Sequence, residues 1–118
     1  MTIEIPGIDE KKGLRLFDGD IELYLFLLNA FVSSAPEVIN AMRNVSEETI
    51  KNYYVASHRL KGNAAQIGAE NLSSKAAELE SLAKGGDLSG ILTLNEAFIN
   101  EADAVLENIR IWLKKNNT

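Results

Sequence analysis

The stretch from residue 50 to residue 68 reads IKNYYVASHRLKGNAAQIG, and its apolar residues recur at intervals of three and four positions. This spacing is typical of an amphipathic α-helix, in which successive side chains are about 100° apart. One side of the helix would carry Ile50, Tyr53, Ser57, Leu60, Ala64 and Ile67. His58 lies roughly opposite Leu60, so the stretch predicts a helix that exposes an imidazole to solvent. Gly68 is expected to end the helix, because glycine readily adopts the left-handed conformation found there.

Two helices are predicted before this stretch, because the same apolar spacing continues towards the N-terminus. A short helix is expected over residues 9–17, and Asp20 is a candidate N-cap of a long one. The inner side of the long helix would carry Ile21, Leu25, Leu28, Phe31 and Val32. Pro36 either ends this helix or kinks it, and we favour a kinked helix that continues to Met42. Ser46 is a candidate cap for the helix that contains His58.

Two further helices are predicted after Gly68. One covers residues 70–84 and is closed by Gly85 and Gly86, and the other opens at Asp87. The inner face of the last helix would carry Ile91, Leu94, Phe98, Ala102, Val105, Ile109 and Trp112. Short connections of this kind join antiparallel neighbours. The sequence therefore predicts an all-α fold, an antiparallel four-helix bundle with a short additional N-terminal helix, as a single domain over residues 1–118.

The composition argues against several classes of function. The chain has 118 residues, of which 46% are hydrophobic, and this suits one globular domain. It contains no cysteine, which excludes disulfides, thiolate metal sites and thiol nucleophiles. A formal net charge of −5 argues against nucleic acid as a partner. The most apolar stretch, residues 21–32, carries Glu22 and Asn29 and is too short to span a bilayer, so we expect no membrane insertion.

The helix face around His58, the only histidine of the chain, also carries Lys61, Gly62, Ala65 and Tyr54. Glycine inside a helix is about 1 kcal/mol less favourable than alanine, so its presence requires a reason. Either another molecule approaches the backbone closely beside His58, or two helices pack closely at Gly62. Lys61 would place a flexible positive charge beside the imidazole, and a merely solvated lysine is the alternative. An imidazole with an ordinary pKa near 6.5 supplies a neutral, nucleophilic nitrogen at cellular pH.

Residues 58–68, HRLKGNAAQIG, resemble the signature of histidine phosphotransfer (HPt) domains. That signature has a histidine, a lysine three residues later, a glycine four residues later, and a second glycine that closes the helix. The resemblance continues through residues 69–82, and it includes the opening segment that begins Ile5-Pro6-Gly7-Ile8-Asp9. It therefore covers nearly the whole chain.

The resemblance implies that His58 carries a phosphoryl group in a two-component phosphorelay. Nε2 of His58 would accept the group from an aspartyl phosphate of a receiver domain and pass it to the aspartate of another response regulator. Lys61 would stabilise the phosphoryl charge, and Gly62, with Ala65 beside it, would leave room for the loops of the receiver. Tyr54 could join this docking surface, although packing between helices is the interpretation that we favour for it.

Glu80 occupies a position where members of this family commonly carry a glutamine or glutamate that contacts the imidazole. It flanks the apolar stripe of its predicted helix, from where it could accept a hydrogen bond from Nδ1–H of His58. That bond would keep the lone pair on Nε2 and raise its nucleophilicity. An ordinary solvated glutamate is the alternative, and the sequence leaves both open.

No glycine-rich phosphate loop and no short cluster of acidic residues with metal-ligand spacing are evident in the sequence. We therefore expect no cofactor in this chain, and the resemblance places the magnesium ion in the partner receiver domain. The expected partners are receiver domains of response regulators or of a hybrid histidine kinase, bound by a monomer. The expected location is the cytoplasm, either as a free protein or as the cytoplasmic domain of a membrane-bound sensor kinase.

Two other functions remain open at the level of sequence. The chain could be the phosphoacceptor domain of a chemotaxis-type histidine kinase, which takes its phosphoryl group from an ATP-bound catalytic domain. It could also be a purely structural helical adaptor in which His58 has no chemical role.

Overall fold

The computed structural model describes residues 3–116, and this range contains five α-helices and no β-strand. The helices are α1 (Glu10–Arg15), α2 (Ile21–Asn40), α3 (Ile50–Gln66), α4 (Glu70–Lys84) and α5 (Leu88–Lys115). The predicted all-α class, a helical bundle with a short additional N-terminal helix, is confirmed.

The four long helices form a closed ring around one core. Helix α2 packs against α3 and α5, and α4 packs against α3 and α5, so each long helix has two neighbours. The largest fully buried side chains come from all four helices and their connections: Tyr24, Leu28, Val38, Ile39, Met42, Tyr53, Leu60, Ile67, Leu72, Leu79, Ile91 and Ile109. The short helix α1 lies against α2.

Three aspartates begin helices as N-caps. The carboxylates of Asp9, Asp20 and Asp87 accept hydrogen bonds from the backbone N–H groups of Lys12, Leu23 and Gly90, which have no partner within their helices. The predicted caps at Asp20 and Asp87 are thus confirmed. Helix α1 is shorter than the predicted range 9–17, because the chain turns into the left-handed region at Asp18 and Gly19.

The two other predictions about helix ends had different outcomes. Helix α2 continues through Pro36, as favoured, but ends at Asn40 and not at the predicted Met42. The prediction that Ser46 caps α3 was wrong, because α3 begins at Ile50 after Thr49. The Ser46 hydroxyl instead accepts a hydrogen bond from the backbone N–H of Thr49 at 3.3 Å and closes a separate turn before the helix.

The buried face of α2 is rotated relative to the predicted one, whereas that of α5 matches the prediction except at Leu94. Ile21 and Leu94 are exposed, whereas Tyr24 and Asn95 are buried in their place. Both buried residues have polar groups that are satisfied inside the bundle: the Tyr24 hydroxyl donates to the carbonyl of Ile67 at 2.6 Å, and Asn95 makes two buried hydrogen bonds. The apolar pattern did not include Asn95, because it takes no account of hydrogen bonds formed inside the bundle.

Helix α2 is also longer than the apolar stretch that the sequence suggested. It has 20 residues with a mean hydropathy of 1.2 in its most apolar window, so its length and composition suffice for a membrane span. The prediction of no membrane insertion considered only residues 21–32, and it stays a prediction. A core helix of a bundle meets the same criterion, and α2 buries Tyr24, Leu28, Phe31, Ala35, Val38 and Ile39.

Candidate functional site

Helix α3 presents His58 to solvent because its opposite face is fixed in the core. Tyr53, Leu60 and Ala64 on that opposite face are fully buried. The side chain of His58 is 64% exposed. The predicted orientation of His58 is therefore present, and the imidazole can be reached by a partner protein.

Glu80 of α4 bridges His58 and Lys61. One carboxylate oxygen, Oε2, contacts Nδ1 of His58, and the other, Oε1, accepts a hydrogen bond from Nζ of Lys61 at 2.8 Å. The Glu80 side chain is only 15% exposed. The structure therefore places Glu80 in contact with the imidazole, and the alternative of a solvated glutamate does not describe it.

The contacts of Glu80 determine which nitrogen of His58 carries the proton. The hydrogen bond from Lys61 lowers the pKa of Glu80 below its ordinary value of 4.5, and the hydrogen bond from His58 acts in the same direction, although burial opposes both. Glu80 is therefore ionised at neutral pH and can only accept hydrogen bonds. In neutral His58 the proton consequently lies on Nδ1, and the lone pair lies on Nε2.

Gly62 lies in open space on the exposed side of α3. A Cβ atom built on Gly62 would have no neighbour within 4 Å outside its own helix backbone. Close packing between helices therefore does not explain this glycine. The alternative from the sequence, an approach of another molecule to the backbone beside His58, is compatible with the open space.

Ala65 and Tyr54 flank the site one helical turn away on either side. Ala65 is exposed and lines a groove together with Leu16, Gly68 and Ser73. Tyr54 is half-buried and packs against the core, as favoured, while its edge lines a second groove beside Val55 and Ala83.

Ser73 is a site neighbour that the sequence analysis missed. Its hydroxyl donates to the carbonyl oxygen of Lys61 at 2.8 Å and so joins α4 to α3. Ser73 and Glu80 are seven residues apart on α4, which places both on the face of that helix towards α3. The spacing of seven residues could have suggested that Ser73 shares a helix face with Glu80. Only the packing of α4 on α3 shows that Ser73 lies opposite Lys61.

Within residues 3–116, no group of three or more histidine, aspartate or glutamate side chains is arranged so that it could hold a metal ion. Of the groups described at this site, the ammonium of Lys61 is the one that could contact a phosphoryl oxygen.

The fold and the site together define a class of protein, a helical bundle that exposes a histidine whose Nδ1 contacts a carboxylate. The family model of the Hpt domain matches residues 27–112. The match covers more than half of the chain, and the chain therefore belongs to the Hpt domain family. Comparisons with curated proteins and with solved structures found no match. Membership of the family indicates histidine phosphotransfer in two-component signalling, in which Hpt domains interact with receiver domains.

Proposed function

We propose that this protein is a phosphorelay intermediate whose His58 accepts a phosphoryl group from an aspartyl phosphate of one receiver domain and passes it to the aspartate of another response regulator. The observation that carries the proposal is the arrangement of three side chains: an exposed His58 whose Nδ1 contacts Glu80, while Glu80 also binds Lys61.

In the transfer step the lone pair of Nε2 attacks the phosphorus atom. A P–N bond forms as the P–O bond to the aspartate of the receiver breaks, and the aspartate leaves as a carboxylate with the bonding electron pair. The proton on Nδ1 remains there, and the positive charge that develops on the ring is opposed by the carboxylate of Glu80. The second transfer is the reverse of this step on another receiver. Because the atoms and charges balance within the pair, no external acid or base is required.

Lys61 is proposed to stabilise the phosphoryl oxygens during the transfer. In the unphosphorylated protein its ammonium is held by Glu80 within one helical turn of His58. A phosphoryl group on Nε2 brings more negative charge than a single carboxylate, so the ammonium is expected to turn towards it. Lys61 is a suitable residue for this movement because its long side chain is flexible and one third exposed.

Two further parts of the proposal concern the partner. We propose that magnesium is bound by the receiver domain, since phosphoryl transfer to and from aspartate requires charge neutralisation that one lysine does not provide. We also propose that the receiver docks on a monomer in the cytoplasm, over Gly62, Ala65 and the edge of Tyr54.

Incubating the purified chain with a panel of receiver domains carrying aspartyl phosphate tests the proposal. We expect acid-labile phosphate on His58 from at least one receiver, and no label on a His58→Gln variant that retains its helical circular dichroism. The labelled protein should then transfer its phosphoryl group to a second receiver. Labelling by an ATP-bound kinase catalytic domain, with none from any receiver, would instead favour a chemotaxis-type phosphoacceptor. No label from either source would favour a structural adaptor.

A further inference from the structure

Helix α4 binds Lys61 of α3 at two points, its backbone carbonyl and its side-chain ammonium. Ser73 of α4 donates to the Lys61 carbonyl at 2.8 Å, and Glu80 of α4 accepts from the Lys61 ammonium at 2.8 Å. Seven residues separate the two groups on α4, a distance of about 10.5 Å along the helix axis. Lys61 therefore lies along the seam between α3 and α4, and both its backbone and its ammonium are bonded to α4.

Among the described residues, three side-chain hydrogen bonds cross this seam, from His58 to Glu80, from Lys61 to Glu80 and from Ser73 to Lys61. The first two involve the groups that change during phosphoryl transfer. When the ammonium of Lys61 turns from Glu80 to a phosphoryl group, its bond to α4 is lost. The bond from Ser73 does not depend on that change, because it is made to a backbone carbonyl.

The carbonyl of Lys61 does not need Ser73 to be satisfied. It lies inside α3, where a helical carbonyl accepts a backbone N–H and has a second lone pair for another donor. The hydroxyl of Ser73 thus adds a bond between the helices without replacing one within α3. This bond therefore affects how α3 and α4 are aligned. The alignment matters because His58 lies on α3 and Glu80, its carboxylate partner, lies on α4.

We propose that Ser73 is a positioning residue for phosphoryl transfer, which holds the Lys61 segment of α3 against α4 so that the ammonium reaches the phosphoryl group after leaving Glu80. This inference rests on the proposed function of His58. It assigns to Ser73 no contact with the phosphoryl group, and its effect on the reaction passes through Lys61.

The test measures the rate of phosphorylation of His58 by phosphoramidate, a small donor that needs no receiver domain. In this reaction Nε2 forms the new P–N bond while the P–N bond of phosphoramidate breaks and ammonia leaves. The variants are Ser73→Ala, Ser73→Thr and, as a matched control, Ser74→Ala. Ser74 is exposed and lines the same groove as Ser73, but none of the hydrogen bonds among the described residues involves its side chain.

We expect Ser73→Ala to slow phosphorylation by about threefold to tenfold, which is the size of effect that one neutral hydrogen bond gives. Ser73→Thr keeps the hydroxyl and should restore the rate, and Ser74→Ala should leave it unchanged. Each change is then repeated in a Lys61→Ala background, where Ser73→Ala should have no further effect because the group that it positions is absent.

A Ser73→Ala rate equal to that of the wild type would overturn the inference, as would a threonine variant that fails to restore the rate. So would an equal slowing with and without Lys61, since that result describes a general structural role. These outcomes leave the proposed function intact as long as the wild type is labelled on His58. A wild type that neither phosphoramidate nor any receiver labels would contradict both proposals.

Discussion

Glu80 uses one carboxylate oxygen for the imidazole of His58 and the other for the ammonium of Lys61. Its position between two groups that are both more exposed than itself keeps the carboxylate partly buried and ionised. At the scale of single residues, one carboxylate therefore sets the tautomer of His58 and holds the ammonium of Lys61 nearby.

The stability contributed by Glu80 should depend on pH. Because its pKa is lowered in the folded protein, chiefly by the hydrogen bond from Lys61, its contribution is complete at neutral pH. The contribution is lost as the pH falls from the ordinary value of 4.5 through the lower pKa of the folded state. We expect Glu80→Gln to lower the free energy of unfolding by about 1 kcal/mol at pH 7, with a smaller difference in acid.

Urea denaturation of the wild type and of Glu80→Gln at pH 7 and at about pH 3 measures this dependence. Glu78→Gln is the control, because Glu78 is exposed on the same helix. If the difference between the wild type and Glu80→Gln were constant across this pH range, the carboxylate would not be the source of the stabilisation.

Gly62 should be replaceable without loss of stability. Since a Cβ atom at this position meets nothing within 4 Å, alanine or glutamine should raise the free energy of unfolding by about 0.5–1 kcal/mol, the usual gain over glycine in a helix. Glutamine should also slow transfer from a receiver domain by at least about tenfold, because it occupies the space proposed for the receiver. Phosphorylation by phosphoramidate should change little.

Ala104→Gln, at an exposed position of α5, is the control for the Gly62 variants. Equal rates of transfer from the receiver to the wild type and to Gly62→Gln would show that no partner approaches the backbone at this point.

At the scale of helices, α1 is attached over the end of α3 through two glycines. Gly68, in the left-handed conformation, accepts a backbone hydrogen bond from Asp9 at 2.8 Å. A Cβ atom on Gly13 would lie 2.5 Å from a ring carbon of Tyr24 and 3.1 Å from the backbone of Ile67. The short helix can therefore approach the C-terminal end of α3 only because Gly13 has no side chain.

Gly13→Ala should destabilise the protein, although both Gly13 and Gly62 are helical glycines. The added methyl group must displace the ring of Tyr24, whose hydroxyl is fixed by its bond to Ile67, and we expect a loss of about 1–3 kcal/mol in the free energy of unfolding. Thermal or urea denaturation of Gly13→Ala and Gly62→Ala in parallel should show shifts of opposite sign. A stabilising Gly13→Ala would mean that α1 does not pack as described.

At the scale of the whole molecule, a buried hydrogen-bond chain connects three parts of the bundle. The hydroxyl of Tyr53 in α3 donates to the side-chain oxygen of Asn95 in α5 at 2.6 Å, and the amide of Asn95 donates to the carbonyl of Met42 at 2.7 Å. All three groups are buried, so each bond replaces one to water. These hydrogen bonds lie on the core side of α3, and they fix this helix, which carries His58 on its other side.

Asn95→Ala should leave the Tyr53 hydroxyl and the Met42 carbonyl buried without their partner. We expect a loss of about 2–4 kcal/mol in the free energy of unfolding, measured by urea denaturation. Asn100→Ala, at an exposed position of the same helix, should have little effect. Below the unfolding transition, the phosphorylation rate of His58 should be nearly normal in both variants, and a large decrease only in Asn95→Ala would mean that the core network also shapes the site.

The local pattern of the sequence was sufficient for the number and type of helices, for two aspartate caps and for the exposure of His58 beside Lys61 and Gly62. These features follow from interactions between residues three or four positions apart, which periodicity and composition record directly. The rotation of α2 that buries Tyr24, the different reasons for Gly13 and Gly62, and the partners of Glu80 and Ser73 were decided only by the tertiary structure. They depend on how one helix is rotated and aligned against another, and that alignment is set by packing between residues far apart in the chain.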